Sequence, residues 1–324
     1  MCVSVTPDPP SVVLLRAPAR ACTRSLRQPS AMPRAGFITV AGKPNAGKST
    51  LLNRLVGEKL SIVSSKPQST RDRVVGIRTV DDTQMVILDT PGLLNPRYAL
   101  QRAMRATALR ALQDADVILY LIDAADPAPL TLAEAAQVES PIRGLVLTVF
   151  NKIDTLTPEA RAALAARAPD ALRISALTGE GVDTLLEQCR LHLPESPFLY
   201  PDDEISAQTV RFFVGELIRE TALEQLEEEL PYSIACEIEE FREGQSPVYI
   251  RAVLHVERES QKRILIGAKG ARVRSIGQAA RAKIEAFVGE RVYLDLWVKV
   301  LPNWRKNAVA LNRFGYRLPE EPPQ

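Results

Sequence analysis

Between residues 36 and 194, short apolar runs alternate with segments whose apolar positions recur every three to four residues. The run GFITVA (36–41) predicts a buried strand, the following GKPNAGKS a glycine-rich turn, and residues 50–56 a helix. Two β-rich runs, 73–80 and 84–88, are separated by Asp81, Asp82 and Thr83, the pattern of an antiparallel hairpin at a sheet edge. Helix 98–113, strand 117–122, strand 145–150, helix 158–167, strand 172–175 and helix 182–192 follow. Such alternation predicts an α/β domain, a mostly parallel sheet with helices on both faces. The segment LPESPFLYPDD (193–203) packs three prolines into eleven residues and marks a linker, placed at 195–205. Beyond it come a long amphipathic helix (207–229), strands 233–240 and 248–256, helix 270–287 and strand 291–300. Their order, α, β, β, α, α, β, predicts a second, α+β domain over 206–317 with a C-terminal tail.

Composition agrees with two domains, since 324 residues exceed what one hydrophobic core usually organises. No apolar run approaches the roughly 18 residues of a membrane span, and the longest near the start, 12–15, is broken by Arg16. A soluble, cytoplasmic protein is expected, with any membrane association peripheral. Cys2, Cys22, Cys189 and Cys236 lie far apart with no CxxC pair, which fits a reducing compartment and excludes a disulfide framework. The first 35 residues carry five arginines against one acid and no apolar periodicity, so they are set outside the fold. They read as a disordered or spurious leader with the working start at Met32, or as an organelle transit segment. Charge then divides the rest: residues 195–240 hold 13 acids and 2 bases, whereas 241–317 hold 16 bases and 6 acids. A net of +10 over one module calls for a polyanionic partner.

The octapeptide Gly42, Lys43, Pro44, Asn45, Ala46, Gly47, Lys48, Ser49 matches GxxxxGK[ST] between a strand and a helix beginning at Thr50. Such a loop turns its backbone N–H groups onto phosphates, with the following helix adding its positive end. Lys48 then pairs with the β- and γ-phosphates, and Ser49 places its hydroxyl on Mg²⁺. Asp89, Thr90, Pro91 and Gly92 follow a strand, where the carboxylate can hold Mg²⁺ and the Gly92 N–H can meet a γ-phosphate. Asn151, Lys152 and Asp154 form NKxD after another strand. Guanine presents N1–H and its amine side by side, so the Asp154 carboxylate accepts both, whereas adenine would turn an acceptor towards it. Ser175 and Ala176 are placed to support the base with backbone N–H groups. All these motifs stand at successive strand ends, where open α/β sheets bind ligands.

The set resembles the translation-factor-related small GTPases. That resemblance makes Thr70, in QSTR (68–71), the second hydroxyl on Mg²⁺ and part of a mobile switch. Leu93 and Leu94 stand where a water-orienting glutamine is expected, so hydrolysis must use something else. In several relatives with this replacement, a K⁺ ion held partly by an asparagine at the position of Asn45 supplies positive charge, so the resemblance makes K⁺-stimulated turnover an expectation to test.

In the basic module, Gly267, Ala268, Lys269 and Gly270 form a GxxG loop bordered by Lys262, Arg263, Arg272 and Arg274. A loop of this kind approaches a sugar-phosphate chain closely while neighbouring bases neutralise phosphates. With the predicted element order it resembles a KH domain of the second topological type. The pair of domains resembles the Era family of bacterial GTPases over residues 36 to about 317, on stretches such as KPQSTRDRVVGI, LPYS, GAKGARVRSIG and LDLWVKV. The resemblance implies a monomeric GTPase that binds GTP and GDP with Mg²⁺, grips small-subunit ribosomal RNA through its KH domain and assists assembly of the small ribosomal subunit, in places at the inner face of the cell membrane. The short stretch between Asp123 and Gly144 departs from the pattern and predicts a reduced helix. The competing readings are a tRNA-modifying GTPase, whose relatives end in a catalytic Cys motif, and a binding module in which nucleotide only stabilises the fold. His192 and His255 have no acid or nucleophile pattern beside them. Trp297 is expected in the core, and Trp304, Arg305 and Lys306 could extend the RNA surface.

Overall fold

The computed structural model of the chain describes residues 14–16 by backbone, and residues 32–64, 66–137 and 142–319. At the centre of the first sheet lies β2 (Arg34–Gly42), between β4 (Thr83–Asp89) and β5 (Val117–Asp123). β6 (Leu145–Asn151) and β7 (Leu172–Arg173) extend one side; β3 (Val74–Val80) closes the other. Every pairing is parallel except β3 with β4, the predicted edge hairpin. Helices cover both faces, as the near-continuous apolar strands require. On one side α1 (Lys48–Val56) and α5 (Val182–His192) pack Leu51, Leu52, Leu55, Leu185 and Cys189 against Ile38, Val40 and Leu119. On the other, α2 (Ala99–Gln113) and α4 (Pro158–Arg167) set Ala108, Leu112 and Leu164 against Ile118, Tyr120 and Phe150. The expected reduced helix is α3 (Leu132–Ala136), five residues started by a Thr131–Glu134 capping box.

The second domain follows the predicted order: α6 (Val210–Gln225), β9 (Ala235–Arg242), β10 (Val248–Val256), α7 (Glu259–Ile266), α8 (Ala271–Val288) and β11 (Val292–Val300). β10 runs parallel to β11 and antiparallel to β9, and α6 and α8 bury Val214, Ile218, Ile276, Ala280 and Ile284 against Ile250, Ala252 and Leu254. Helix α6 ends four residues earlier than its pattern suggests. Three consecutive glutamates repel there, Glu228 takes a φ of +54°, and Pro231 lacks the N–H a helix needs, so residues 230–233 form a 3-10 turn instead.

Two expectations are corrected, one on the leader and one on the tryptophans. The segment set outside the fold contributes β1 (Leu14–Arg16), which pairs antiparallel with β8 (Glu204–Thr209), and β2 begins at Arg34 rather than 36; the remainder of 1–31 lies outside the described residues. The 195–205 segment packs on the first domain, where Gln84 Oε1 accepts from the Leu199 and Tyr200 N–H groups, and just beyond it the Ser206 and Gln208 side chains satisfy the Val75 C=O and N–H at the β3 edge. Finally, the two tryptophans exchange places. Trp297 is 55% exposed, on the β11 face shared with Tyr293, Asp295 and Lys299, because Leu294, Leu296, Val298 and Val300 take the core side. Trp304 is fully buried instead. Its indole N–H donates to Ser233 O at 2.8 Å and its ring packs with Leu100 and Met104 of α2, so Trp304 serves the interior rather than an RNA surface, while Arg305 is half-buried and pairs with Glu257. The tail carrying them, with α9 (Ala308–Arg313), thereby joins the two domains.

Candidate functional site

The loop between β2 and α1 encloses one side of a cavity of about 360 Å³, lined by Pro44, Asn45, Gly47, Lys48, Ser49, Thr50, the 62–64 and 68–70 segments, Gly92, Leu94 and Lys152. Two glycines allow its walls to close. A Cβ on Gly47, at φ +95°, would lie 2.2 Å from Asn151 Nδ2, and one on Gly92 would lie 2.8 Å from Pro44 N. The second contact brings the segment after β4 against the phosphate loop, where the Leu93 N–H donates to Gly42 O at 3.0 Å and Thr90 Oγ1 to Val40 O at 2.9 Å.

Lys48 is enclosed, its ammonium donating to Lys43 O at 2.9 Å and Gly42 O at 3.2 Å. Burial brings its pKa down from 10.5 to about 8, with Asp89 acting against the shift. Burial conversely pushes the Asp89 carboxyl up, opposed first by Lys48. Ser49 Oγ lies 2.9 Å from Thr70 Oγ1, which in turn lies 3.3 Å from Asp89 Oδ2. Asp89 Oδ1 is wholly buried and meets no donor among the described residues. Two hydroxyls and a carboxylate with an unmatched oxygen fit a hard divalent cation such as Mg²⁺. Leu93 turns into the core against α2, and Leu94 lines the cavity, so neither offers a group that could orient water.

At the next two strand ends the predicted base-binding residues converge. Asn151 is buried and bridges the phosphate loop to the 175–177 loop, its Nδ2 donating to Ala46 O at 2.8 Å and its Oδ1 accepting from the Ala176 N–H at 2.9 Å. Lys152 pairs with Asp123 at 2.7 Å, beside a second ion pair from Lys43 to Asp126 at 2.9 Å. Asp154 is exposed, and its carboxylate makes no hydrogen bond or ion pair among the described residues. The backbone groups expected from Ser175 and Ala176 are already used, the Ser175 N–H by Glu180 O and the Ala176 N–H by Asn151. Arg54, at the end of α1, belongs to no motif, yet it donates to Ala176 O and Leu177 O.

The GxxG residues lie between α7 and α8, with φ of +73° at Gly267, +50° at Lys269 and +78° at Gly270. The resulting turn presents Lys269, Arg263, Arg272 and Arg274 to solvent, with Lys262 half-buried and an exposed Ile264 beside them. Arg272 also donates to Ile264 O at 3.2 Å, which ties α8 back to α7.

Between the two sites run contacts that no motif announces. Arg71, next to Thr70, is buried and donates to Ile234 O, to Tyr232 O at 3.2 Å and to Pro231 O at 3.3 Å, and its guanidinium lies 5.7 Å from the Trp304 ring centroid. Arg219 of α6 donates to Ser69 O while Glu216 holds it at 2.8 Å, and Lys66 donates to Leu223 O and Leu226 O. Gln68 accepts from Tyr98 Oη at 3.3 Å, and Arg305 of the tail stacks over the Tyr98 ring at 5.2 Å.

Comparison with known proteins agrees with both halves. Residues 37–152 match the family model "50S ribosome-binding GTPase", and residues 229–305 match the KH domain model. GTPase Era of Carboxydothermus hydrogenoformans is 41% identical over 87% of this chain and 98% of its own, and GTPase Era of Syntrophus aciditrophicus is 40% identical over 89% and 96%. Among solved structures, an Aquifex aeolicus Era variant bound to GDP.AlF4- superposes with a TM-score of 0.82 at 38% identity, covering 88% of this chain and 100% of that one. A structure of Era with MgGDPNP and nucleotides 1506-1542 of 16S ribosomal RNA gives the same TM-score, identity and coverage. A GTPase domain followed by a KH domain, matched along nearly the whole length of these relatives, places the chain in the Era family of GTPases.

Proposed function

We propose that this GTPase binds small-subunit ribosomal RNA through its KH domain, changes its grip between the GTP and GDP states, and so assists assembly of the small ribosomal subunit. The observation that carries the reading is that one loop, residues 66–71, borders the phosphate cavity and is also hydrogen-bonded into the KH domain through Lys66, Ser69 and Arg71. The related Era bound to MgGDPNP and 16S ribosomal RNA supports the choice of cofactor and RNA.

Within the site, Lys48 exchanges its two carbonyl partners for phosphate oxygens, and backbone N–H groups of the 42–49 loop, Pro44 excepted, wrap the rest of the chain of phosphates. Asp154 selects guanine by accepting N1–H and the amine. Ser49, Thr70 and Asp89 hold Mg²⁺, which when bound neutralises phosphate charge. Loss of the γ-phosphate frees Thr70 and the Gly92 N–H, and the 66–71 loop relaxes its hold on α6 and the 230–234 segment. Asn45, which lines the cavity, would hold a K⁺ ion, and that ion would supply positive charge in place of a catalytic side chain. The protein works as a monomer in the cytoplasm, with any membrane contact peripheral; among the described residues no helix is long and apolar enough to cross a bilayer.

Multiple-turnover hydrolysis, measured with and without small subunits and in Na⁺ or K⁺, tests this. Small subunits should stimulate phosphate release and K⁺ should raise it further. Equal rates in both cations with small subunits present would remove the K⁺ role. Absence of phosphate release throughout would leave a binding scaffold.

A further inference from the structure

In the last turn of α1, Arg54 reaches across to the loop after β7. Its Nε donates to Ala176 O at 2.6 Å and its Nη2 to Leu177 O. Gly179 keeps the lane open, since a Cβ there would stand 2.9 Å from Arg54 Nη1. Within residues 175–179 the other N–H groups are taken: Ser175 donates to Glu180 O at 2.9 Å, Ala176 to Asn151 Oδ1 at 2.9 Å, Thr178 to Ser175 Oγ at 3.0 Å and Gly179 to Ser175 O at 2.8 Å. The Leu177 N–H makes no hydrogen bond among the described residues, and Leu177 is 70% exposed. In a trans peptide the C=O of residue 176 and the N–H of residue 177 point in opposite directions. Arg54 draws that carbonyl towards α1 and thereby aims the Leu177 N–H away from it.

We propose that Arg54 is a positioning residue for guanine selection, fixing the loop so that the Leu177 N–H donates to the six-position carbonyl of the base. The proposal rests on Asp154 accepting the neighbouring N1–H and amine. Both loops follow adjacent parallel strands, β6 and β7, and the Ile153 N–H donates to Ile174 O at 3.3 Å, which keeps them side by side. Guanine offers an acceptor next to two donors, matching one N–H beside a carboxylate. Adenine would face that N–H with its own amine, so the pair of loops rejects it twice. An arginine suits the task because its planar fork reaches two successive carbonyls through separate nitrogens held in one rigid plane, Nε on Ala176 O and Nη2 on Leu177 O.

The test uses the full chain and three ligands: GDP, 6-thio-GDP, which keeps N1–H and the amine but replaces the carbonyl oxygen by a poorer acceptor, and inorganic tripolyphosphate, which engages the phosphate loop alone. The unaltered chain should prefer GDP over 6-thio-GDP by roughly fivefold to tenfold, the worth of one hydrogen bond. In Arg54→Ala that preference should collapse towards one through weaker GDP binding, with tripolyphosphate affinity unchanged within about twofold as the sign of an intact fold. Arg54→Lys should recover part of the preference. Asp154→Ala should weaken both nucleotides together. An Arg54→Ala chain that loses GDP and 6-thio-GDP equally, or loses tripolyphosphate, would make Arg54 a structural residue and overturn the proposal. If Asp154→Ala leaves GDP binding untouched, the guanine assignment itself fails, an outcome distinct from the first.

Discussion

Lys48 shows how a single buried charge can report on its ligand. Desolvation holds its pKa near 8 while its partners are two neutral carbonyls. A triphosphate replaces them with anions and must raise that pKa. Below pH 8 the ammonium is already protonated and binding exchanges little; above pH 8 the free protein has lost the proton and binding takes one up. GTP affinity should therefore fall as pH rises through 8, with proton uptake approaching one near pH 9, measurable by calorimetry in buffers of different ionisation enthalpy. The same depressed pKa makes the ligand-free fold gain stability between pH 8 and 10.5, because the unfolded chain binds the proton more tightly there. A second residue-scale contrast separates the two tryptophans. Trp304→Ala removes a fully enclosed ring and a hydrogen bond and should cost about 3–5 kcal/mol in urea unfolding, whereas Trp297→Ala on the outer sheet face should cost under about 1 kcal/mol.

The GxxG turn belongs to the scale of elements, where two helices and a loop act together. Its positive φ values bring the backbone to the surface, and the exposed Lys269, Arg272 and Arg274 surround it. Lys269→Glu should lower affinity for a single-stranded ribosomal RNA oligonucleotide about tenfold and flatten its salt dependence, leaving GTP affinity intact; titration at two ionic strengths checks both. A change in GTP affinity as well would mean that the two modules are wrongly divided. Elements of this kind were legible in the chain because local rules dominate them. Helices 158–167 and 182–192 end where their periodicity ends, and the residues of β10 alternate or run apolar as a sheet interior demands. The phosphate loop and NKxD announce themselves because a ligand, rather than the fold, dictates their residues. What escaped lay where tertiary partners decide. The face taken by Trp297 was written in the alternation of LDLWVKV, which groups it with Asp295 and Lys299, but an aromatic side chain biased the reading towards the core. The partner of β1 is β8, nearly 200 residues away, and no local pattern could name it. Arg54 and Arg71 donate to backbone carbonyls, which leave no mark on the sequence of the segments they bind.

At the scale of the whole molecule, the question is how the phosphate cavity communicates with an RNA surface in another domain. Arg71 spans the two domains, one residue from Thr70 on one side and bonded to the 231–234 backbone and facing the Trp304 ring on the other. Burial pushes its pKa down from the usual arginine value, so the contact depends on several carbonyl oxygens acting on one guanidinium. Arg71→Lys keeps a positive charge but cannot span three carbonyls in one plane. It should leave RNA affinity in the GDP state close to that of the unaltered chain while reducing the difference between GTP and GDP states, from at least about fivefold towards one. Anisotropy titrations of labelled RNA in both nucleotide states measure the ratio directly. Because coupling between two ligands is reciprocal, bound RNA must change GTP affinity by the same factor, and that factor must shrink equally in the variant. A variant that retained the RNA effect on GTP while losing the GTP effect on RNA would violate linkage and indicate a mixed population. One that retained both would move the coupling to other contacts between the two domains, such as those of Arg219 and Lys66 or the Tyr98–Arg305 pair.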